Sequence, residues 1–337
     1  MTNIVYLHIG MPKTGTSALQ VFFAANQESL KQSGVWYPTS ANLQAAKSGA
    51  VTSGNATGIA RFLNPDNPHP EDPQEALERF QDELKQNSGT ILYSSEFLHN
   101  ARPERLQQLK SVATSLGHEI RIVVFLRHQI DIAFAQYSQG VKRHALSTSS
   151  ESILDRPGVN YLEILNRFSA IFGDRNIIAR DYAHFVESPY SLMVEFLSIL
   201  GLAPGNQFQF PKLAVNPSLS RHELEMLRGL NELTRDPAVC TLVSSVLMGL
   251  RASTDSEDAY LGMIGSEKLL PSQEELTRLT RRYREENDEI SVRFLGGRPF
   301  RGSGAHSSGK PLDPPTPYER ILFYMLSSVL FSLRART

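Results

Sequence analysis

The sequence predicts an α/β fold: a parallel sheet flanked by helices, followed by a largely helical C-terminal region. Three observations carry that expectation. Four short apolar runs, Ile4–Ile9, Thr90–Ser94, Ile122–Leu126 and Asn176–Ala179, have the length and content of strands buried on both faces. Each leads into polar or charged residues and then a stretch of helix formers, the alternation of a βα repeat. After Pro217 the spacing becomes helical throughout.

The first run breaks into Gly10-Met11-Pro12-Lys13-Thr14-Gly15-Thr16-Ser17, and helix formers follow at once from Ala18 to Leu30. A strand, a tight loop and a helix start make an anion site. The loop amides and the first-turn N–H groups converge on one point, where the helix dipole adds about half a positive charge. Lys13 adds a full one. These parts predict a P-loop-type sheet whose ligand is an anionic tetrahedral group on a nucleotide. A Walker A loop carries its lysine directly after the second glycine. Here Thr16 follows Gly15, and the lysine lies two positions before it.

Helices are expected at Gln74–Gln86, Pro103–Leu116, Tyr161–Phe172 and Pro189–Leu200, with Gly34–Pro38 as a shorter strand. The helical region should contain Arg221–Leu233, Ala238–Leu250 and the charged Gln273–Phe294, the last a solvated helix face. Three segments read as flexible loops: Lys47–Gly58, Asn64–Pro73 and the Gly/Ser- then Pro-rich stretch 301–317. The expected organisation is an α/β domain over 1–300, helical from about 218, a connector at 301–317 and an apolar or amphipathic helix over 318–337.

Composition bounds the function. The 337 residues carry a formal net charge of −1, so no bulk field points to nucleic acid or an anionic membrane. The single cysteine, Cys240, cannot form an internal disulfide and suits a reducing cytoplasm. The first apolar run has no basic leader, so no secretory signal is expected, and the triplet Asn55-Ala56-Thr57 gains no weight as a glycosylation site. Ile321–Leu333 is apolar and flanked by arginines, but thirteen residues fall short of the roughly 20 that span a bilayer. A packed terminal helix is expected first, with contact to a membrane surface through 318–334 as the alternative. The nine histidines include no pair three or four apart and no acidic cluster resembles a magnesium site, so no metal is expected.

The strand Arg121–Leu126 ends in Arg127-His128-Gln129, and a helix through Tyr137-Ser138-Gln139 follows. An arginine at a strand's end can fork two hydrogen bonds onto a phosphate. The strand Ile91-Leu92-Tyr93 runs into Ser94-Ser95-Glu96, with His99 three residues on; Glu96 at a carboxyl end is placed where α/β sheets gather ligands.

Together these motifs resemble the sulfotransferase superfamily that uses 3′-phosphoadenylyl sulfate (PAPS), nearest its bacterial members. The resemblance rests on Pro12–Ser17, Ser94–Glu96, Arg127–Gln139, Ile177–Tyr182 and Asn216–Ser220, in that order along residues 4–230. It implies PAPS as co-substrate, with no metal. It also implies that Lys13, Thr14, Gly15, Thr16 and Ser17 hold the 5′-phosphosulfate, that Arg127 grips the 3′-phosphate, and that Tyr182 lies against the adenine. The family's serine eight residues after the arginine is replaced by Ala135; Ser138, one helical turn on, is the candidate substitute. The Arg-Lys-Gly segment that closes over the 3′-phosphate is missing, leaving Arg298 or Arg301 as stand-ins. The base implied is Glu96, with His99 in reserve and His128 behind it.

The activity expected is transfer of a sulfuryl group to a hydroxyl or amine, with carbohydrate as the favoured acceptor. The expected setting is cytoplasmic, peripheral to a membrane if the terminal helix touches lipid. Two alternatives stay open: a P-loop kinase using ATP and magnesium, and a catalytically inactive nucleotide-binding protein.

Overall fold

The computed structural model describes residues 3–40, 43–47, 52–67, 70–156, 158–186, 188–210, 219–252 and 269–300. The connector and terminal helix expected beyond residue 300 lie outside these, as do Asn216–Ser218. The described residues fall into two compact units.

The first unit comprises residues 1–128, 159–213 and 284–303 where described. Its sheet holds five strands, all parallel: β1 (Asn3–Ile9), β2 (Val35–Trp36), β3 (Thr90–Ser95), β4 (His118–Leu126) and β5 (Ile177–Asp181), in the order β2-β3-β1-β4-β5. The α/β expectation holds, and β2 is the short strand expected near Val35. β1 lies centrally because its apolar run suits burial on both faces. On one face Tyr6, Leu92, Val123 and Phe125 pack with α1 (Thr16–Ala25) and α10 (Pro189–Ile199). Against β4 lie α6 (Pro103–Ser115) and α9 (Tyr161–Phe172).

Two local departures have clear causes. The helix expected over Ala18–Leu30 is two, α1 and α2 (Gln27–Gln32). Buried Asn26 ends the first because its amide takes over backbone bonding: Nδ2 donates to Phe22 O and Gln209 O, and Oδ1 accepts from Gln209 N at 2.6 Å. The loops expected over Lys47–Gly58 and Asn64–Pro73 are irregular where described but held in place: helix α4 (Thr57–Leu63) runs between them, Arg61 donates to Asn67 O, and the buried Asn67 amide donates to Ala60 O. Asn55, the triplet asparagine, is buried with both ends of its amide bonded, so its nitrogen is shut off from modification.

The second unit comprises 129–158 and the described parts of 214–283. It is helical: α7 (Gln129–Arg143), α8 (Glu151–Leu154), α11 (Arg221–Thr234), α12 (Pro237–Ala252) and the first half of a long helix, Gln273–Phe294. α11 starts on a full capping box, with the Ser220 hydroxyl accepting from Glu223 N and the Glu223 carboxylate accepting from Ser220 N. Its core gathers Tyr137, Val141, Leu227 and buried Cys240.

Candidate functional site

The parallel register sets the site. Ile9 pairs with Ser95, so Gly10 and Glu96 are the next residues off the two strands; Leu126 pairs with Asp181, so Arg127 and Tyr182 are likewise neighbours. Four chemistry-bearing positions therefore leave one edge of the sheet together, at the carboxyl ends where α/β sheets bind ligands.

The loop after β1 is held from within. The Thr14 hydroxyl donates to Met11 O at 2.8 Å and lies 3.4 Å from the Thr16 hydroxyl. Gly10 N donates to Ser95 O, tying the loop's start to β3. Lys13 has φ 61, left-handed backbone that a side-chain-bearing residue rarely adopts and that costs about 1–2 kcal/mol. Its side chain is exposed. Gly15, at φ 75, caps α1, and the first intrahelical bond runs from Leu19 N to Gly15 O. The N–H groups of Thr16, Ser17 and Ala18 precede that bond and have no partner in the helix ladder, as an anion cradle requires.

Both loop glycines are also needed for space. A Cβ on Gly10 would lie 3.1 Å from Glu96 Cα and closer still to Thr16. On Gly15 it would lie 2.5 Å from Leu192 and 3.2 Å from the Tyr182 ring. The Tyr182 ring thus covers the helix start that Lys13 precedes.

Arg127 ties three of these parts together. Its Nη1 donates to Lys13 O at 3.1 Å, and its guanidinium carbon lies 5.8 Å from the Tyr182 ring centroid, within cation–π range. The Tyr161 hydroxyl donates to Arg127 O at 2.7 Å and clamps its backbone. The Arg127 Nε is buried and meets no acceptor among the described residues. A buried donor without a partner is costly, about 1–3 kcal/mol, so this one suits an anionic ligand.

Glu96 is exposed at the start of a short 3₁₀ turn, Glu96–Asn100, whose cap is the Ser95 hydroxyl. His99 is half-buried, with Nδ1 on Glu96 O. Burial holds its pKa below the ordinary value, against the opposing pull of hydrogen bonds to the Glu96 and Gly10 backbone. The ring therefore braces the loop start from behind. His128 is buried, with Nε2 at 3.2 Å from the Asn287 amide and its ring beside Phe300.

Lys13 to Ser17, Glu96, His99, Arg127 and Tyr182 share this one sheet edge. Ser138 does not belong to the same unit; it is half-buried on α7, as is Ala135 one turn before it. Arg298 is exposed on the turn after the long helix, and Arg301 lies outside the described residues. Among the described residues no group of three metal-ligating side chains forms, and no helix is long and apolar enough to cross a membrane.

Sequence reasoning missed the support beneath the loop. His8 is fully buried on β1, with Nδ1 at 2.8 Å from the Ser94 hydroxyl, and Gln20 of α1 donates to the same hydroxyl at 3.4 Å. Asn55 accepts from Ser94 N at 2.8 Å and donates to Leu92 O. Burial among Phe125 and Phe196 pushes the His8 pKa down to about 3, so the ring is neutral near pH 7. The only signal was a histidine interrupting an apolar run.

No family model matches the chain, and no curated protein does. Among the solved structures similar to it are three sulfotransferases or sulfotransferase domains. A sulfotransferase from Alicyclobacillus acidocaldarius shares 16% identity over 72% of this chain and 95% of its own, with a TM-score of 0.38. The sulfotransferase domain of the Synechococcus PCC 7002 olefin synthase shares 11% over 75% and 95%, at 0.28. The sulfotransferase domain from the curacin biosynthetic pathway shares 12% over 80% and 99%, at 0.30.

Proposed function

We propose that this protein is a PAPS-dependent sulfotransferase, moving a sulfuryl group to a hydroxyl or amine. One observation carries the reading: Arg127 holds the carbonyl of Lys13 while its buried Nε waits for an acceptor, beside a helix start roofed by Tyr182. That arrangement suits a ligand with two separated anionic groups and a flat ring. The amides of Thr14–Ser17 and the Lys13 ammonium would take the 5′-phosphosulfate, Arg127 the 3′-phosphate, and Tyr182 the adenine.

In the reaction an acceptor oxygen or nitrogen attacks sulfur in line, the bond from sulfur to the bridging phosphate oxygen breaks, and the acceptor's proton passes to a base. Positioning and charge neutralisation supply most of the acceleration, as in phosphoryl transfer. Lys13 offsets the charge growing on the departing phosphate. Glu96, next to Gly10 and open to solvent, is the proposed base, with His99 in reserve. Ser138 remains a proposed 3′-phosphate contact. A hydroxyl-rich acceptor suits an exposed carboxylate, so carbohydrate is the class proposed first. A cytoplasmic setting follows from the same reading, as does independence from metal.

The test pairs binding with turnover. 3′,5′-Adenosine bisphosphate should raise the melting temperature and ATP with magnesium should not; the reverse would favour the kinase reading. With PAPS and an acceptor panel, Lys13→Ala should lower kcat by about 10²–10³-fold, the usual scale for removing one charge-stabilising donor, while leaving the melting temperature of the free protein unchanged. Bisphosphate binding without any sulfate transfer would instead mark a catalytically inactive nucleotide-binding protein.

A further inference from the structure

The helical unit contains a cavity of about 290 Å³ that the reaction above does not use. One face of α7 forms its wall, since Gln129, Ala133, Gln136 and Gly140 recur at helical spacing. The floor is apolar: Ile130, Leu154 and Leu279 are almost fully buried and pack together with Tyr283. Two glycines let the walls approach. A Cβ on Gly158 would lie 2.4 Å from the Tyr283 hydroxyl, and one on Gly140 would lie 3.0 Å from Leu146.

The rim has a different chemistry. It carries Gln136, His144 and Arg156, and no carboxylate lines the cavity among the described residues. Arg278 takes the neighbouring Asp155 in an ion pair at 2.8 Å, so the acid next to Arg156 in sequence is already engaged. An apolar floor beneath a cationic rim selects an amphiphile with one negative end. A cationic head is disfavoured by Arg156, whereas an anionic one meets no like charge among the described lining residues.

We propose that this cavity is a second ligand site, distinct from the strand-end loop, which binds a small apolar anion such as an alkyl sulfate or alkyl carboxylate. The anion sits at Arg156 and His144, and the apolar body reaches the floor formed by Ile130, Leu154 and Leu279. The proposal goes beyond sulfuryl transfer and stands whether or not that reading holds.

Hexyl sulfate, hexanol and hexyltrimethylammonium, each titrated calorimetrically into the full chain below its micellar concentration, test it. Hexyl sulfate should bind with one site, hexanol about fivefold to tenfold more weakly, and the cation not at all. Arg156→Gln, at an exposed position, should bring hexyl sulfate down to the hexanol level. Ala133→Leu should fill the cavity and remove both, with an unchanged far-UV circular dichroism spectrum and a cooperative urea transition as the sign of an intact fold. Lys13→Ala should leave hexyl sulfate binding unchanged. Loss of binding in Lys13→Ala, with retention in Arg156→Gln, would place the anion at the strand-end loop and overturn the proposal. So would equal binding of all three probes, or binding by none.

Discussion

The two units bury polar groups in different ways. In the helical unit the buried polar side chains cap a helix or tie one helix to the next: Ser220 and Glu223 cap α11, Asn231 donates to Val141 O and Leu146 O, and the Ser244 hydroxyl lies on Lys142 O as well as on Thr241 O of its own helix. In the sheet unit they prop the strand beside the anion loop. His8 meets Ser94, 86 residues away, and Asn55 bridges to β3 across 39. The difference follows from what each unit carries. A helix satisfies its own backbone, whereas a loop between parallel strands must be propped from outside if its amides are to stay free for an anion. That prop is a buried polar network, and burial makes it sensitive to protonation.

His8 should show the largest effect. Its folded pKa of about 3 lies below the ordinary 6.5. Between those values the unfolded chain binds a proton that the folded chain refuses, so stability is full above about pH 6.5 and falls as pH drops. The slope is about 1.4 kcal/mol per pH unit, or about 3 kcal/mol by pH 4. His8→Gln, which keeps a polar group near Ser94 without the titration, should flatten the urea-unfolding stability profile between pH 6.5 and 4. An unchanged slope would mean the ring is not buried neutral, and the contrast drawn above would fail.

The parts of this network were unequally legible. Each strand is a contiguous apolar run, so local sequence located it, and register then brought Gly10, Glu96, Arg127 and Tyr182 together without further help. The break at Asn26 was not legible, because it depends on Gln209, 183 residues away. Nor was the packing of 52–67, where a Gly/Ser/Thr-rich stretch reads as loop until Asn55 finds Ser94. The α7 cavity was hidden for the same reason. Its floor joins Ile130 and Leu154 to Leu279, positions whose own neighbourhoods say only that they are apolar.

Glycine substitutions sharpen the contrast between a loop that is propped and one that is merely turned. Gly15 and Gly34 have nearly the same backbone, φ 75 and 82, but a Cβ at Gly34 meets nothing within 4 Å. Gly34→Ala should therefore cost only the left-handed strain, about 1–2 kcal/mol. Gly15→Ala adds overlap with Leu192 and the Tyr182 ring and should cost about 2–4 kcal/mol in total. It should also lower the thermal shift by 3′,5′-adenosine bisphosphate, which Gly34→Ala should not. Equal costs in urea unfolding would show that Tyr182 does not press on the loop.

A matched pair of asparagines separates the units more finely. Asn55 and Asn231 are both buried, and each amide holds backbone groups from elsewhere in the chain: Asn55 on Pro38 O, Leu92 O and Ser94 N, Asn231 on Val141 O and Leu146 O. Replacing either with alanine strands buried partners and should cost about 1–3 kcal/mol. Only Asn55→Ala should weaken bisphosphate binding, because only Asn55 props the strand that delivers Glu96. If Asn231→Ala weakened it equally, the site would depend on the helical unit as much as on the sheet.

Surface ion pairs should show the smallest effect and should not distinguish the units. Arg293 gathers Asp174, Glu289 and the Asn166 amide in the first unit, and hydrogen bonds from Arg293 and Ser169 hold the Asp174 pKa below its ordinary value. Arg278 pairs with Asp155 in the second. These side chains remain about a third to two-thirds exposed, so solvent and salt screen most of the attraction. Arg293→Gln and Arg278→Gln should each cost less than about 1 kcal/mol, and the cost should shrink further in high salt. Arg293 engages three acceptors and should stand at the upper end of that range, with its contribution fading as acid protonates Asp174. If either loss were several times larger and insensitive to salt, charge at the surface would matter as much as the polar groups buried beneath the loop.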